Sequence, residues 1–237
     1  MASELELKIK EIIQRTHNVK SFRLELPNDV DFKPGQYMQV TVKADGKDIS
    51  RYLSISNSPT EKGYLEFTKK LTNSDFSQTL NQLKVGDMVK VNYAFGKFTF
   101  NGEYDKIAFL SGGIGITPIR SIAKYVVDKN LGTDMILVYG NQCADDVAFK
   151  EDFDQMQKDY AKLKVVQVLI DDSKCDWQEV KTGFITKEIV LDVIPDYKER
   201  KFFICGPPVM VDAMKKILLD GLGLDKECII EENFKGY

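Results

Sequence analysis

The chain has 237 residues, with 33 Lys plus Arg against 36 Asp plus Glu, for a formal net charge of −3. That length fits one large domain or two small ones, and the slightly acidic balance excludes a general nucleic-acid binder, whose phosphate contacts need a clustered positive field. Hydrophobic residues at 43% and charged residues at 29% exclude a disordered chain, and no apolar run reaches the ~18 residues of a membrane helix. The opening Met1-Ala2-Ser3-Glu4 lacks the basic and apolar regions of a secretory leader. The four cysteines, Cys143, Cys175, Cys205 and Cys228, are scattered, and no CxxC pair offers a zinc or iron–sulfur loop. A reduced, cytoplasmic protein is the expectation. His17 is the only histidine, which excludes a histidine-rich metal site and argues against a Ser–His–Asp hydrolase.

From the start to about residue 100, apolar residues alternate with polar ones. Leu5, Leu7 and Ile9 do so, then Phe22, Leu24 and Leu26, then Met38, Val40 and Val42, and later Val89, Val91 and Tyr93. Alternation with period two marks strands with one face on a core. Pro27-Asn28-Asp29, Pro34-Gly35, Asp45-Gly46, Glu61-Lys62-Gly63 and Gly86-Asp87 supply turns between them. The pattern predicts a small antiparallel barrel, interrupted by a short helix from Gln78 to about Leu83 with Ser77 as its N-cap.

After Asn101-Gly102-Glu103, a plausible boundary, strands and helices alternate. Strands are predicted at Lys106–Leu110, Met135–Tyr139, Val165–Ile170 and Phe202–Cys205. A helix is predicted over Ile119, Ile122, Ala123, Val126 and Val127, with others at Phe149–Leu163 and Val209–Leu219. This rhythm predicts a parallel, doubly wound sheet.

Five segments carry chemistry. Ser111-Gly112-Gly113-Ile114-Gly115-Ile116-Thr117-Pro118 lies between a strand and a helix. Its glycines permit close approach of a ligand. Thr117 suits the N-cap and Pro118 the first turn, where free N–H groups favour a phosphate. No Lys-Ser or Lys-Thr follows, so this is not an NTPase loop. Arg51-Tyr52-Leu53-Ser54 lies on a barrel strand, where Arg51 is a bidentate partner for a pyrophosphate and Ser54 and Ser56 share a face. Phe67-Thr68-Lys69-Lys70 through Asn73-Ser74-Asp75-Phe76-Ser77 is a polar turn entering a helix. Cys205-Gly206-Pro207 sits at the carboxyl end of a strand, the edge where open parallel sheets bind ligands. The end, Glu231-Glu232-Asn233-Phe234-Lys235-Gly236-Tyr237, offers aromatic cover for a flat ring.

In this order, the segments resemble the ferredoxin–NADP reductase superfamily over essentially the whole chain. The resemblance implies a six-stranded antiparallel FAD-binding barrel over residues 1–101. A doubly wound parallel-sheet NAD(P)-binding domain follows over residues 102–237, with hydride transfer in the cleft between them. It makes Arg51 the FAD pyrophosphate ligand and puts Ser54 near flavin N5. Thr68, Lys69, Ser74, Phe76 and Ser77 line the rest of FAD. Gly113, Gly115 and Thr117 form the pyridine-nucleotide loop. Cys205 stands beside the nicotinamide, and Gly206 and Pro207 shape its pocket. Glu232, Phe234 and Tyr237 close the site. Ser54, Cys205 and Glu232 are the implied catalytic residues. Leu53 stands where the family usually has an aromatic, and by alternation the neighbouring Tyr52 points to the opposite face.

Asp171-Asp172-Ser173-Lys174 follows a predicted strand where NADP-dependent members tend to have Ser-Arg. Asp172 would accept from a ribose diol and repel a 2′-phosphate, so NADH is favoured over NADPH. Electrons would pass to a separate carrier such as ferredoxin or flavodoxin. The alternatives are a reductase of diffusible flavin and the electron-transfer subunit of a larger oxidoreductase complex.

Overall fold

The computed structural model describes residues 3–26, 31–177 and 179–234. Tyr237 and the Pro27-Asn28-Asp29 turn lie outside the described residues.

The first half is a barrel of β1 (Ser3–Thr16), β2 (Val19–Glu25), β3 (Tyr37–Ala44), β4 (Lys47–Ser54), β5 (Tyr64–Lys70) and β6 (Met88–Phe95). The six antiparallel strands run in the order β4-β3-β6-β1-β2-β5. β4 and β5 are therefore the two edges, and they meet at a single isolated bridge between Ile55 and Phe67. The alternating residues do as the sequence predicts. Leu7, Ile9, Phe22, Leu24, Met38, Val40, Val89 and Val91 all face one buried core. The short helix α1 (Asp75–Gln82) caps that core with Phe76 and Leu80. It starts earlier than the sequence predicts. Ser74, not Ser77, is its N-cap, and the Ser74 side chain accepts from the Ser77 N–H.

The second half is a parallel sheet of β7 (Lys106–Gly112), β8 (Asp134–Asn141), β9 (Leu163–Leu169), β10 (Val180–Thr182), β11 (Lys201–Gly206) and β12 (Ile229–Asn233). Its order is β10-β9-β8-β7-β11-β12. On one face lie α2 (Ile116–Lys129) and α3 (Lys150–Asp159), which pack Ile119, Ile122, Val126, Phe153 and Met156 against the sheet. On the other lie α4 (Lys187–Val193) and α5 (Pro208–Lys216), which bring Val190, Val193, Val211 and Met214. Strands buried on both faces explain the continuous apolar runs of the sequence. α3 is shorter than predicted. Tyr160 leaves the helix to donate its hydroxyl to the Thr133 carbonyl at 2.8 Å, and Leu163 already belongs to β9. Likewise α5 ends at Lys216 in a wider turn over Ile217–Gly221.

The halves share apolar core. Phe98 and Phe100, just after β6, meet Phe203 of β11 edge-on, with ring centroids 5.4 and 6.0 Å apart.

Candidate functional site

In the parallel sheet, strand order reverses between β7 and β11, and at such a switch point the loops diverge to leave a crevice. The loop after β7 and the Cys205-Gly206-Pro207 segment of β11 both end there. A cavity of about 450 Å³ lies along this edge, lined by Gly112, Gly113, Ile114, Gly140, Asn141, Phe184, Pro207 and Met210 among others. Two glycines explain how the backbones come so close. A Cβ on Gly115 would fall 2.3 Å from the Cys205 carbonyl oxygen, and one on Gly112 would fall 2.1 Å from Met210 Sδ. The loop is braced from within. Thr117 Oγ1 donates to the Ile114 carbonyl at 3.0 Å, and the Tyr139 hydroxyl donates to the Gly113 carbonyl at 2.9 Å. Thr117 thus lies inside the first turn of α2, whose N-cap is Gly115, and not at the cap that the sequence predicts.

The barrel half adjoins this crevice through Val19 of β2 and Lys70 of β5, and β4 carries the predicted Arg51–Ser54 segment. Alternation puts Arg51 and Leu53 on one face of the strand, and Tyr52 and Ser54 on the other. Arg51 lies over the Phe76 ring at 5.8 Å, beside the start of α1. Lys69 of β5 belongs to the same corner. Burial, reinforced by the Arg51 charge, lowers its pKa to about 8. Thr68 is engaged elsewhere, its hydroxyl 2.7 Å from that of Ser21 and 2.9 Å from that of Ser56. Ser77 is buried, its hydroxyl 3.2 Å from those of Thr72 and Ser74. Leu53, which stands where the family usually has an aromatic, is only 3% exposed and packs in the barrel core. The aromatic surface comes instead from Tyr52, 57% exposed, which meets Tyr37 at 5.6 Å and Phe95 at 6.3 Å. The sequence reading missed Tyr37 and Phe95. They pair across β3 and β6, a relation that no short window contains.

The two halves converge at a seam. Tyr37 pairs with Ser54 in register. A Cβ on Gly96 would stand 2.9 Å from the Tyr37 ring and 3.8 Å from Glu232 Oε1. Glu232 pairs with Cys205, and Cys205 with Ser111. Ser54, Cys205 and Glu232, distant in sequence, are therefore linked through Tyr37 and Gly96 as successive neighbours. Burial pushes the Glu232 carboxyl up to about 7. Burial, and then the nearby Glu232 charge, drive the Cys205 thiol well above its ordinary range, which keeps it neutral. Ser54 Oγ, Ser111 Oγ, Glu232 Oε2 and Asn233 Oδ1 are among the buried side-chain atoms without a hydrogen-bond partner among the described residues. Buried polar atoms are normally satisfied, so these atoms suit a ligand rich in hydrogen-bonding groups, as an isoalloxazine is. Phe234 is half-buried beside it, and its N–H reaches the Gly206 carbonyl at 3.4 Å.

Asp172 accepts from Thr182 Oγ1 at 2.6 Å and does not line the cavity. The acid that does line it is Asp146, which the sequence reading missed and which faces Lys70 at 3.8 Å. No His, Cys, Asp and Glu cluster suited to a metal occurs among the described residues, and no helix there is long and apolar enough to cross a membrane.

Comparison with known proteins agrees with this geometry. The model of the oxidoreductase FAD-binding domain matches residues 5–100, and that of the oxidoreductase NAD-binding domain matches residues 109–216. The chain is 33% identical over 221 residues to NADH-cytochrome b5 reductase 1 of Dictyostelium discoideum, covering 89% of this chain and 75% of that protein. It is 30% identical over 231 residues to the glycine betaine monooxygenase reductase subunit of Chromohalobacter salexigens, covering 94% of this chain but 62% of the longer relative. The solved ferredoxin reductase in carbazole 1,9a-dioxygenase superposes with a TM-score of 0.82 at 27% identity, over 98% of this chain and 69% of that one. A barrel and a doubly wound sheet that share an apolar, glycine-lined crevice, matched along nearly their whole length, place this chain in the ferredoxin–NADP reductase superfamily of FAD- and NAD-binding oxidoreductases.

Proposed function

We propose that the protein takes a hydride from NADH, in preference to NADPH, onto FAD held in the seam, and passes electrons singly to a separate acceptor. The observation that carries this reading is the succession of neighbours Ser54, Tyr37, Gly96, Glu232 and Cys205 beside the nucleotide cavity. When bound, the flavin supplies the conversion of two-electron nicotinamide chemistry into one-electron chemistry.

The chain supplies position, charge and protons. Arg51 and Lys69, with the N–H groups at the start of α1 between Ser74 and Ser77, would hold the pyrophosphate. Tyr52, Tyr37 and Phe95 offer aromatic surface to the ring system. The Ser54 hydroxyl would donate into the seam. Cys205, neutral and fully buried, would pack as a small apolar group against the nicotinamide. Glu232, with its pKa near 7, can hold or release a proton at neutral pH. Gly113, Gly115 and Thr117 would shape the nucleotide loop, and Gly206, Pro207 and Phe234 would close the pocket from the neighbouring strands.

Nucleotide preference follows from charge. Asp146 lines the cavity, and Asp172 lies just beyond β9. The Asp146 carboxylate would repel a 2′-phosphate, whereas a ribose diol could donate to it. The acceptor is proposed as a separate electron-carrier protein such as ferredoxin or flavodoxin, or a partner in a larger complex. That two of the named relatives are a cytochrome b5 reductase and a monooxygenase reductase subunit supports the arrangement. The two units divide near Asn101-Gly102, between β6 and β7. The four free cysteines suit a reducing, cytoplasmic setting.

The test is a visible spectrum of the purified chain after incubation with FAD, followed by anaerobic titration with NADH and NADPH. A flavin spectrum bleached by NADH, with kcat/KM higher for NADH, is expected. A chain that stays colourless refutes the reading, and a higher value for NADPH refutes the preference.

A further inference from the structure

One helix, α2, carries the nucleotide loop at its start. In its second turn it carries the side chains that grip the barrel just past Ser54. Arg120 is charged yet only 4% exposed. Its Nε donates to Asp152 Oδ2 at 2.8 Å, its Nη1 to the Ser56 carbonyl at 3.2 Å and its Nη2 to Glu61 Oε1 at 3.1 Å. The next residue, Ser121, donates to the Asn57 carbonyl at 2.7 Å and accepts from the Gly35 N–H at 3.4 Å. Ser56 is held from its other side as well. Its hydroxyl donates to Glu66 Oε1 at 2.8 Å, and the buried Glu66 accepts from Arg15 at 3.3 Å and Arg23 at 2.8 Å. Arg15 also lies 3.7 Å from Asp152. Charges of alternating sign thus run without a break from Arg23 through Glu66, Arg15, Asp152 and Arg120 to Glu61.

Such a chain is a poor source of stability, because desolvating the ions costs about as much as their attraction returns. What it provides is fixed geometry. A guanidinium is a rigid planar fork, and here it serves two carboxylates and a carbonyl at set angles that a lysine cannot reproduce together. None of the six residues of the chain lines the nucleotide cavity. We infer that Arg120 is a positioning residue, which fixes the spacing between Ser54 and the Gly113–Gly115 loop and so governs the rate of hydride transfer without touching either cofactor. The inference rests on the hydride-transfer reading above.

The test uses FAD-loaded protein in anaerobic stopped flow with NADH, together with amide hydrogen exchange at residues 56–58. Misplacement by about 1 Å can slow an oriented reaction by about a hundredfold, so Arg120→Lys should reduce flavin about ten- to a hundredfold more slowly. FAD content and NADH Kd should stay within about twofold, with faster exchange at residues 56–58. Ser121→Ala should shift rate and exchange in the same direction, but less. Thr60→Ala removes an exposed hydrogen bond to Asp128 across the same interface and should change neither. A wild-type rate in Arg120→Lys, or loss of FAD in proportion to the loss of rate, overturns the inference. If Arg120→Lys does not fold, Ser121→Ala decides, an unchanged rate overturning it. If NADH fails to reduce even the wild type, the functional reading falls by itself, and unchanged exchange in the variants would then sink the positioning role too.

Discussion

Glu232 gives the sharpest pH-dependent expectation. Its carboxyl ordinarily titrates at 4.5 and in the folded chain is raised to about 7, by burial at the end of β12. The folded state therefore binds its proton more tightly than the unfolded state does. Below about pH 4.5 both states are protonated, and the group costs nothing. As pH rises from there toward 7, the unfolded chain ionises first and folding is progressively weakened. A shift of this size corresponds to about 3 kcal/mol once the titration is complete. Urea midpoints of the flavin-free protein, taken from pH 5 to pH 8, should fall as pH rises. In Glu232→Gln, which is neutral throughout, that part of the fall should be absent, so the variant should gain on the wild type steadily and lead it at pH 8. Parallel profiles for the two proteins would refute the buried-carboxyl account.

Three further outcomes follow from the same geometry. Gly115→Ala puts a methyl 2.3 Å from the Cys205 carbonyl, so the loop and β11 must separate; a loss of about 1–3 kcal/mol in thermal unfolding and weaker NADH binding in titration are expected. Lys69, with its pKa lowered to about 8, stays charged below that pH, so FAD affinity measured by fluorescence should decline as pH passes 8; in Lys69→Met the decline should vanish and affinity be lower throughout. Glu66→Ala removes the carboxylate shared by Arg15 and Arg23 and the acceptor of the buried Ser56 hydroxyl, while Asp152 and Glu11 still face the two arginines; a loss of about 1–3 kcal/mol by chemical denaturation is expected.

The barrel core and the two-faced sheet were legible because period-two alternation and short apolar runs are local consequences of which face is buried. Helix starts were less so. Ser74 and Ser77 both fit an N-cap by residue type, and it is Ser74 that has the extended backbone and accepts from the Ser77 N–H. Thr117 was misplaced for a similar reason, since a turn of 3-10 helix over Gly113–Gly115 brings the start of α2 forward. Cys205 and Glu232 could be singled out by motif, but their pairing on adjacent parallel strands could not be read from spacing. Tyr37, Phe95 and Asp146 carry no local signature at all. Charged residues such as Glu66 and Arg120 look like ordinary solvated positions in a sequence. They are buried only because partners far along the chain arrive beside them.

The strand order has a consequence for how the protein is made. β4 and β5 each spend one edge on an inner neighbour, and among the described residues they share no ladder, only the bridge between Ile55, just past β4, and Phe67. Beyond that rung, the backbone at Arg51–Ser54 and Thr68–Lys70 presents facing rows of amides and carbonyls along an unstitched rim. Unpaired rims recruit other chains. A flavin lying along this one would act as the missing thread. Chains that have not yet taken up flavin would therefore leave this edge open to pairing with another strand.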